Sequence, residues 1–167
     1  MRSLLIILLY GLISLSVPAQ TPAFQWATTF GSTSNDYAIS IDFDGAGNSV
    51  SAGTFGETID FDPGPAQFNL SSNGHFDVVI LKLSPAGNFI WAKSLGSSFA
   101  DMPSCIKLDD NNNVYVSGSF GGTVDFDPGA GVFNMAASNG AAFILKLDAN
   151  GNFLWAIQFC PDQFLCY

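Results

Sequence analysis

One segment occurs three times along the chain. Phe24-Gln25-Trp26-Ala27, Phe89-Ile90-Trp91-Ala92 and Phe153-Leu154-Trp155-Ala156 place their tryptophans 65 and 64 residues apart. Between them, Gly56-Glu57-Thr58-Ile59-Asp60-Phe61-Asp62-Pro63-Gly64 returns as Gly121-Gly122-Thr123-Val124-Asp125-Phe126-Asp127-Pro128-Gly129, again at an offset of 65. Ile80-Leu81-Lys82-Leu83 returns as Ile144-Leu145-Lys146-Leu147, and each is followed by a Gly-Asn turn, Gly87-Asn88 and Gly151-Asn152. Self-similarity at a fixed period marks a repeat architecture, in which a unit buries its apolar faces only against its neighbours. The unit here is about 65 residues long, present twice and begun a third time.

Each unit reads as short strands divided by turn chemistry. Val114-Tyr115-Val116-Ser117-Gly118-Ser119-Phe120 is rich in β-branched and aromatic residues with a period of two. The polar run Asp109-Asp110-Asn111-Asn112-Asn113 before it tolerates left-handed backbone. Ile144-Leu145-Lys146-Leu147, an Asn150-Gly151 turn and Phe153-Leu154-Trp155-Ala156 form a hairpin signature. No convincing 3.6-residue apolar stripe follows the first 20 residues, so the expectation is an all-β chain. About four main strands fall in each unit, near Ile41/Ile106, Val50/Val116, Leu81/Leu145 and the tryptophans. The Asp-Phe-Asp-Pro-Gly segment adds an extra hairpin. Four-stranded antiparallel blades set side by side make a β-propeller; two units make a partial one. A β-sandwich is the competing all-β arrangement.

The pattern Phe30-Gly31…Asp36…Ile41…Asp44…Asn48…Gly53, repeated as Leu95-Gly96…Asp101…Ile106…Asp109…Asn113…Gly118, resembles the SBBP (seven-bladed β-propeller) repeat family. The Asp-Phe-Asp-Pro-Gly insert and the Lys-Leu-x-x-x-Gly-Asn-Phe-x-Trp-Ala hairpin resemble versions found in large secreted Gram-negative surface proteins. The resemblance spans roughly residues 24–159. It implies a propeller and an extracellular location, and it implies no reaction.

The N-terminus carries a second message. Arg2, an apolar run over residues 4–13 and the exit Val17-Pro18-Ala19 describe a secretory signal peptide, with cleavage expected after Ala19. The run is shorter than the roughly 20 apolar residues of a spanning helix. The expected layout is a signal peptide over 1–19, repeats over 20–88 and 89–152, and a third repeat begun at 153 with a divergent tail to 167. Because Phe159-Cys160-Pro161 replaces the Gly-Ser step found after Phe30 and Leu95, the chain is expected to be a fragment of a longer cell-surface protein. Alternatively, a natural short form would complete its ring by self-association.

Without the signal, four lysines stand against 14 acidic residues, a net charge of −10. Such a chain is repelled by phosphate backbones, which disfavours nucleic-acid partners. Cys105, Cys160 and Cys166 lack metal-ligand spacing, and there is one histidine, His75. Asp60/Asp62 and Asp125/Asp127 are the candidate metal ligands: residues i and i+2 of an extended strand share a face, and two carboxylates suit a hard cation such as Ca²⁺. Asp-Pro-Gly is equally a turn former. Asp44 and Asp109 read as side chains that bond their own turns. The tryptophans read as repeated core contacts, with stacking on a sugar or a quinone as the alternative. No nucleophile elbow, phosphate loop or zinc-protease motif is present. The expected protein is therefore non-enzymatic, with no obligatory cofactor, a binding or scaffold module for a protein or glycan. The alternatives are a propeller hydrolase, lyase or quinone-dependent oxidoreductase, and a calcium-stapled stalk.

Overall fold

A computed structural model describes residues 23–159, and within them ten strands and no helix. The strands are β1 (Tyr37–Phe43), β2 (Ser49–Phe55), β3 (Thr58–Asp60), β4 (Asn69–Ser71), β5 (Asp77–Leu83), β6 (Phe89–Leu95), β7 (Met102–Leu108), β8 (Val114–Asp125), β9 (Asn134–Leu147) and β10 (Phe153–Phe159). The first sheet has the order β1-β2-β5-β6 and the second β7-β8-β9-β10, every pairing antiparallel. These are two four-stranded blades of a partial β-propeller, as the repeat implied. The tryptophan strand is the outermost strand of its sheet in both cases, so each sheet ends, rather than begins, on that motif. The signal-peptide segment and Cys160 and Cys166 lie outside the described residues.

The two sheets repeat one another down to their irregularities. The β1–β2 register slips between Ala38 and Ser40, and the β7–β8 register slips at the matching place, between Pro103 and Cys105. The turn that follows is also copied. Asp44 takes amide hydrogens from Ala46 and Asn48 at 3.0 and 2.9 Å, and Asp109 takes those of Asn111 and Asn113 at 3.0 and 2.9 Å. These aspartates hold their turns in the role expected of them.

Packing between the blades uses strand alternation. Val50, Ala52, Val78 and Ile80 project from one face of the first blade into a shared core with Val116, Phe120, Phe143 and Leu145 of the second. The innermost strands are tied by side chains: the Ile106 amide donates to Ser40 Oγ at 3.2 Å, and the Leu108 amide to Asp42 Oδ2 at 3.0 Å. Such bonds cap the edge of β7, whose amides would otherwise lack partners.

The extra hairpin differs between units. In the first it is a separate two-stranded sheet, β3 with β4; in the second it is the continuation of β8 and β9. A difference in length accompanies this. The second unit is one residue shorter before Ala141 than the first is before Asp77, so β9 runs on without a loop. The backbone at the start of the hairpin is alike in both, left-handed at Glu57 (φ 59°) and at Gly122 (φ 63°), a conformation that suits glycine and strains glutamate.

Candidate functional site

Each blade docks on the next through tryptophan and glycine. The Trp91 indole donates to the Ala149 carbonyl at 3.3 Å and covers Gly151 in the β9–β10 turn of the following blade. Gly151 has φ 79°, and a side chain there would press on the Trp91 ring. Trp26 makes the same contact one unit earlier: its indole donates to the Pro85 carbonyl at 2.9 Å and its ring covers Gly87, φ 80°. Trp155 has no such turn among the described residues; it leans edge-on against Tyr115 and is 39 % exposed. Two of the three tryptophans thus grip a glycine turn, and Trp91 does so between the two blades.

The first blade turns its other face to a cavity of about 280 Å³. Ser51, Gly53, Val79 and Leu81 form one wall, and Thr28, Thr29 and Phe30 the other. Phe30 packs on Phe61, which in turn meets Phe55 edge-on, so the face is apolar and partly covered by the chain's own N-terminal segment. Asp36 and Tyr37 stand at the rim. Next to it, β1 lies open: Tyr37, Ile39, Ile41 and Phe43 are all exposed, Ile41 by 53 % where its counterpart Ile106 is fully buried.

Sequence reasoning singled out Asp60, Asp62, Asp125 and Asp127. Asp60 ends strand β3, and its Oδ1 accepts the amides of Asp62 at 3.0 Å and Phe68 at 2.8 Å. Asp62 Oδ1 accepts the Gly64 amide at 2.7 Å. The copy is faithful: Asp125 Oδ1 accepts from Asp127 and Phe133, and Asp127 Oδ1 from Gly129. In both units one oxygen of each aspartate organises the turn. No cluster of three metal-ligating side chains occurs among the described residues.

A carboxylate pair that sequence reasoning passed over lies at the junction of the blades. Asp101 is fully buried; it takes hydrogen bonds from the Ser97 amide at 2.6 Å, the Ser97 hydroxyl at 3.0 Å and the Gly121 amide at 3.0 Å. Burial nevertheless pushes its pKa up. Asp36 repeats this clamp with Ser32 and Gly56. Asp77 is also fully buried, and its Oδ2 takes the Asn73 amide at 2.9 Å while Oδ1 has no hydrogen-bond partner among the described residues. Burial first, and the Asp101 charge besides, raise it to about 6 against the pull of the Asn73 amide. Its equivalent in the second unit is Ala141, so no repeated pattern advertised it.

The ion pairs show the opposite shift. Lys82 meets Asp44 at 2.9 Å with both side chains almost wholly buried, and Lys146 meets Asp109 at 3.3 Å in a more open setting. Burial works against the Asp44 charge, yet bonds from Lys82 and Asn48 outweigh it and hold the carboxyl at about 2. For Asp109 the Asn113 side chain is the main influence, with Lys146 assisting, and the value is again about 2.

Fold and site together define a partial β-propeller in which the repeated polar and aromatic residues serve as fasteners. Comparison with known proteins agrees with that class. The chain is 33 % identical over 94 residues to an uncharacterized WD repeat-containing protein of Acanthamoeba polyphaga mimivirus. The match covers 54 % of this chain and 7 % of that protein's length. No family model matches the chain.

Proposed function

We propose that this chain is a secreted, non-enzymatic β-propeller module of the SBBP type that binds or scaffolds at the cell surface, with a protein or glycan as its partner. The observation that carries the reading is the fate of the repeated residues. Trp91, Asp44, Asp101, Asp109 and Lys82 direct their polar groups into turns and blade junctions. Residues spent in this way are a poor basis for turnover, since a catalytic group must reach its substrate. What remains for recognition is acidic and loop-rich surface together with the open blade faces. The resemblance to a WD repeat-containing protein supports a propeller-type scaffold, and the segment over residues 4–13 supports export.

The test is an export experiment in a Gram-negative host. The full chain should leave the cytoplasm with a new N-terminus at Gln20, and on intact cells an added protease should degrade it. Retention in the cytoplasm with Met1 still attached would overturn the reading.

A further inference from the structure

The chain leaves the first blade at the end of β6 and crosses to β7 of the second over residues 96–101. Two fully buried carboxylates meet this connector, Asp77 at the head of β5 and Asp101 at the connector's own end. We propose that the connector is a proton-controlled latch, closed while Asp77 carries a proton and loosened when Asp77 and Asp101 are both charged. Such a latch works wherever the protein resides and whatever it binds.

The backbone brings the two acids together. The Asp101 amide donates to the Phe76 carbonyl at 2.7 Å, next to a short parallel bridge between Phe76 and Ala100, so Asp101 is held beside the residue that precedes Asp77. At the connector's other end Gly96 lies directly against the Asp77 carboxyl, so close that no side chain fits there. The Gly96 carbonyl takes a hydrogen bond from the Asn73 side chain at 3.2 Å. The two acids are provided for unequally. Asp101 accepts from the Ser97 amide, the Ser97 hydroxyl and the Gly121 amide. Asp77 is bonded by Asn73 alone among the described residues, whose amide donates to Oδ2 at 2.9 Å, and its buried Oδ1 is left bare. A charge on a bare, buried oxygen is costly, and a proton removes it.

No ion pair engages either acid among the described residues. The charged and titratable groups around Asp77 are Asp101 on the connector, His75 in the preceding loop, Asp36 and Glu57 beside the end of β2, and Lys93 on β6. Asp36 is held by Ser32 and the Gly56 amide, Glu57 by Thr33, and the His75 ring lies edge-on to Phe76. Lys93 stands opposite Ile80, three residues further along β5, and its charge acts on Asp148. Burial first, and the Asp101 charge besides, hold the Asp77 carboxyl at about 6 against the Asn73 amide. Opening the connector returns Asp77 to water and to its ordinary 3.8. The closed form is therefore favoured in full below pH 3.8 and loses that advantage as pH rises through about 6. Between pH 5 and pH 7.5 the open fraction should rise about tenfold. The connector also carries Phe99, whose ring lies on Gly121 and Gly122 of β8. Loosening it uncouples the end of the first blade from the register shift in the second.

Hydrogen exchange of the full chain, corrected for the intrinsic pH dependence of amide exchange, tests the latch. Protection of the Ser97 and Asp101 amides should fall about tenfold between pH 5 and pH 7.5. The Asn113 amide, held by Asp109, should keep its protection across that range, and so should the Val116 and Leu145 amides of the core. In Asp77→Asn the Ser97 and Asp101 amides should lose their pH dependence. Where that variant does not fold, Asp77→Ala serves, since the second unit has Ala141 in the matching place. Protection at Ser97 and Asp101 that is independent of pH in the wild type overturns the proposal. An equal fall in the Asp77 variant overturns it too. So does an equal fall at Val116 and Leu145, which would be unfolding of the whole chain and not of the connector.

Discussion

The two blades carry one pattern and live in different surroundings. The second blade buries Val116, Phe120, Phe143 and Leu145 against a neighbour; the first presents Gly53, Phe55, Val79 and Leu81 to a cavity also lined by Thr28, Thr29 and Phe30. Ile106 is fully buried where Ile41 is 53 % exposed, although both occupy the same place in an innermost strand. In a repeat protein, then, burial belongs to the interface between units and not to the unit. A strand sequence fixes which side chains alternate; the neighbour decides whether that alternation is rewarded.

Substitutions at matched positions of the two blades should have unequal effects. The largest contrast is expected in the core. Leu145→Ala should cost about 4 kcal/mol, and its counterpart Leu81→Ala, beside space that can relax, about 2 kcal/mol. Denaturant unfolding measures both, and equal losses would mean that the cavity face is as well packed as the junction.

The ion pairs come next. Lys82→Met strands the buried Asp44 carboxylate and should cost about 3 kcal/mol, whereas Lys146→Met, at a more open and solvent-screened pair, should cost far less. Both aspartates are depressed to about 2 from an ordinary 3.8, so the stability they supply is present above pH 3.8 and is lost as pH falls through about 2. The stabilities of the wild type and Lys82→Met should be furthest apart above pH 3.8 and converge as pH falls through about 2.

Asp77 has the opposite sign. Its folded carboxyl titrates at about 6 against an ordinary 3.8, so its contribution is complete below 3.8 and disappears as pH rises through about 6. Asp77→Asn can keep the bond to the Asn73 amide without the charge. It should stabilise the chain by about 2 kcal/mol at pH 7.5, and by little at pH 4. A variant no more stable than wild type at pH 7.5 would show that the buried carboxyl is solvated or paired. A smaller gain, about 0.5 kcal/mol, is expected of Glu57→Gly, which relieves a left-handed glutamate and loses its bonds to Thr33. The smallest effect is expected of a chelator: with Asp60 Oδ1 and Asp125 Oδ1 already holding two backbone amides each, EDTA should leave the melting temperature unchanged. A fall of several degrees would support a calcium role for Asp60, Asp62, Asp125 and Asp127.

Much of this fold was legible because its determinants are local and repeated. The Gly-Asn turns, the period-two runs and the 65-residue offset dictate strands, hairpins and their number. The turn role of Asp44 and Asp109 was readable for the same reason: an aspartate four residues before an asparagine closes its loop with contacts the sequence itself spells out. The candidate site was less legible. Asp77 occurs in one unit only, and its raised pKa arises from burial at a junction with Asp101, 24 residues away. The cavity lies over Val79 and Leu81, which look in sequence like their buried counterparts Phe143 and Leu145. Trp26, Trp91 and Trp155 are identical in pattern, yet only the packing shows that two of them grip a turn and the third leans on Tyr115.

Tryptophan stacked on glycine fastens the first blade to the second. Proton NMR tests it most directly, because an aromatic ring stacked on a glycine shifts that glycine's α-protons upfield. The account predicts strongly shifted α-protons at Gly87 and Gly151, each with a nuclear Overhauser contact to the indole of Trp26 or Trp91, and slow exchange of those two indole N–H groups beside a fast one from Trp155. Ordinary α-proton shifts at Gly151 with no contact to Trp91 would contradict it, and would mean that the two sheets do not pack as neighbouring blades.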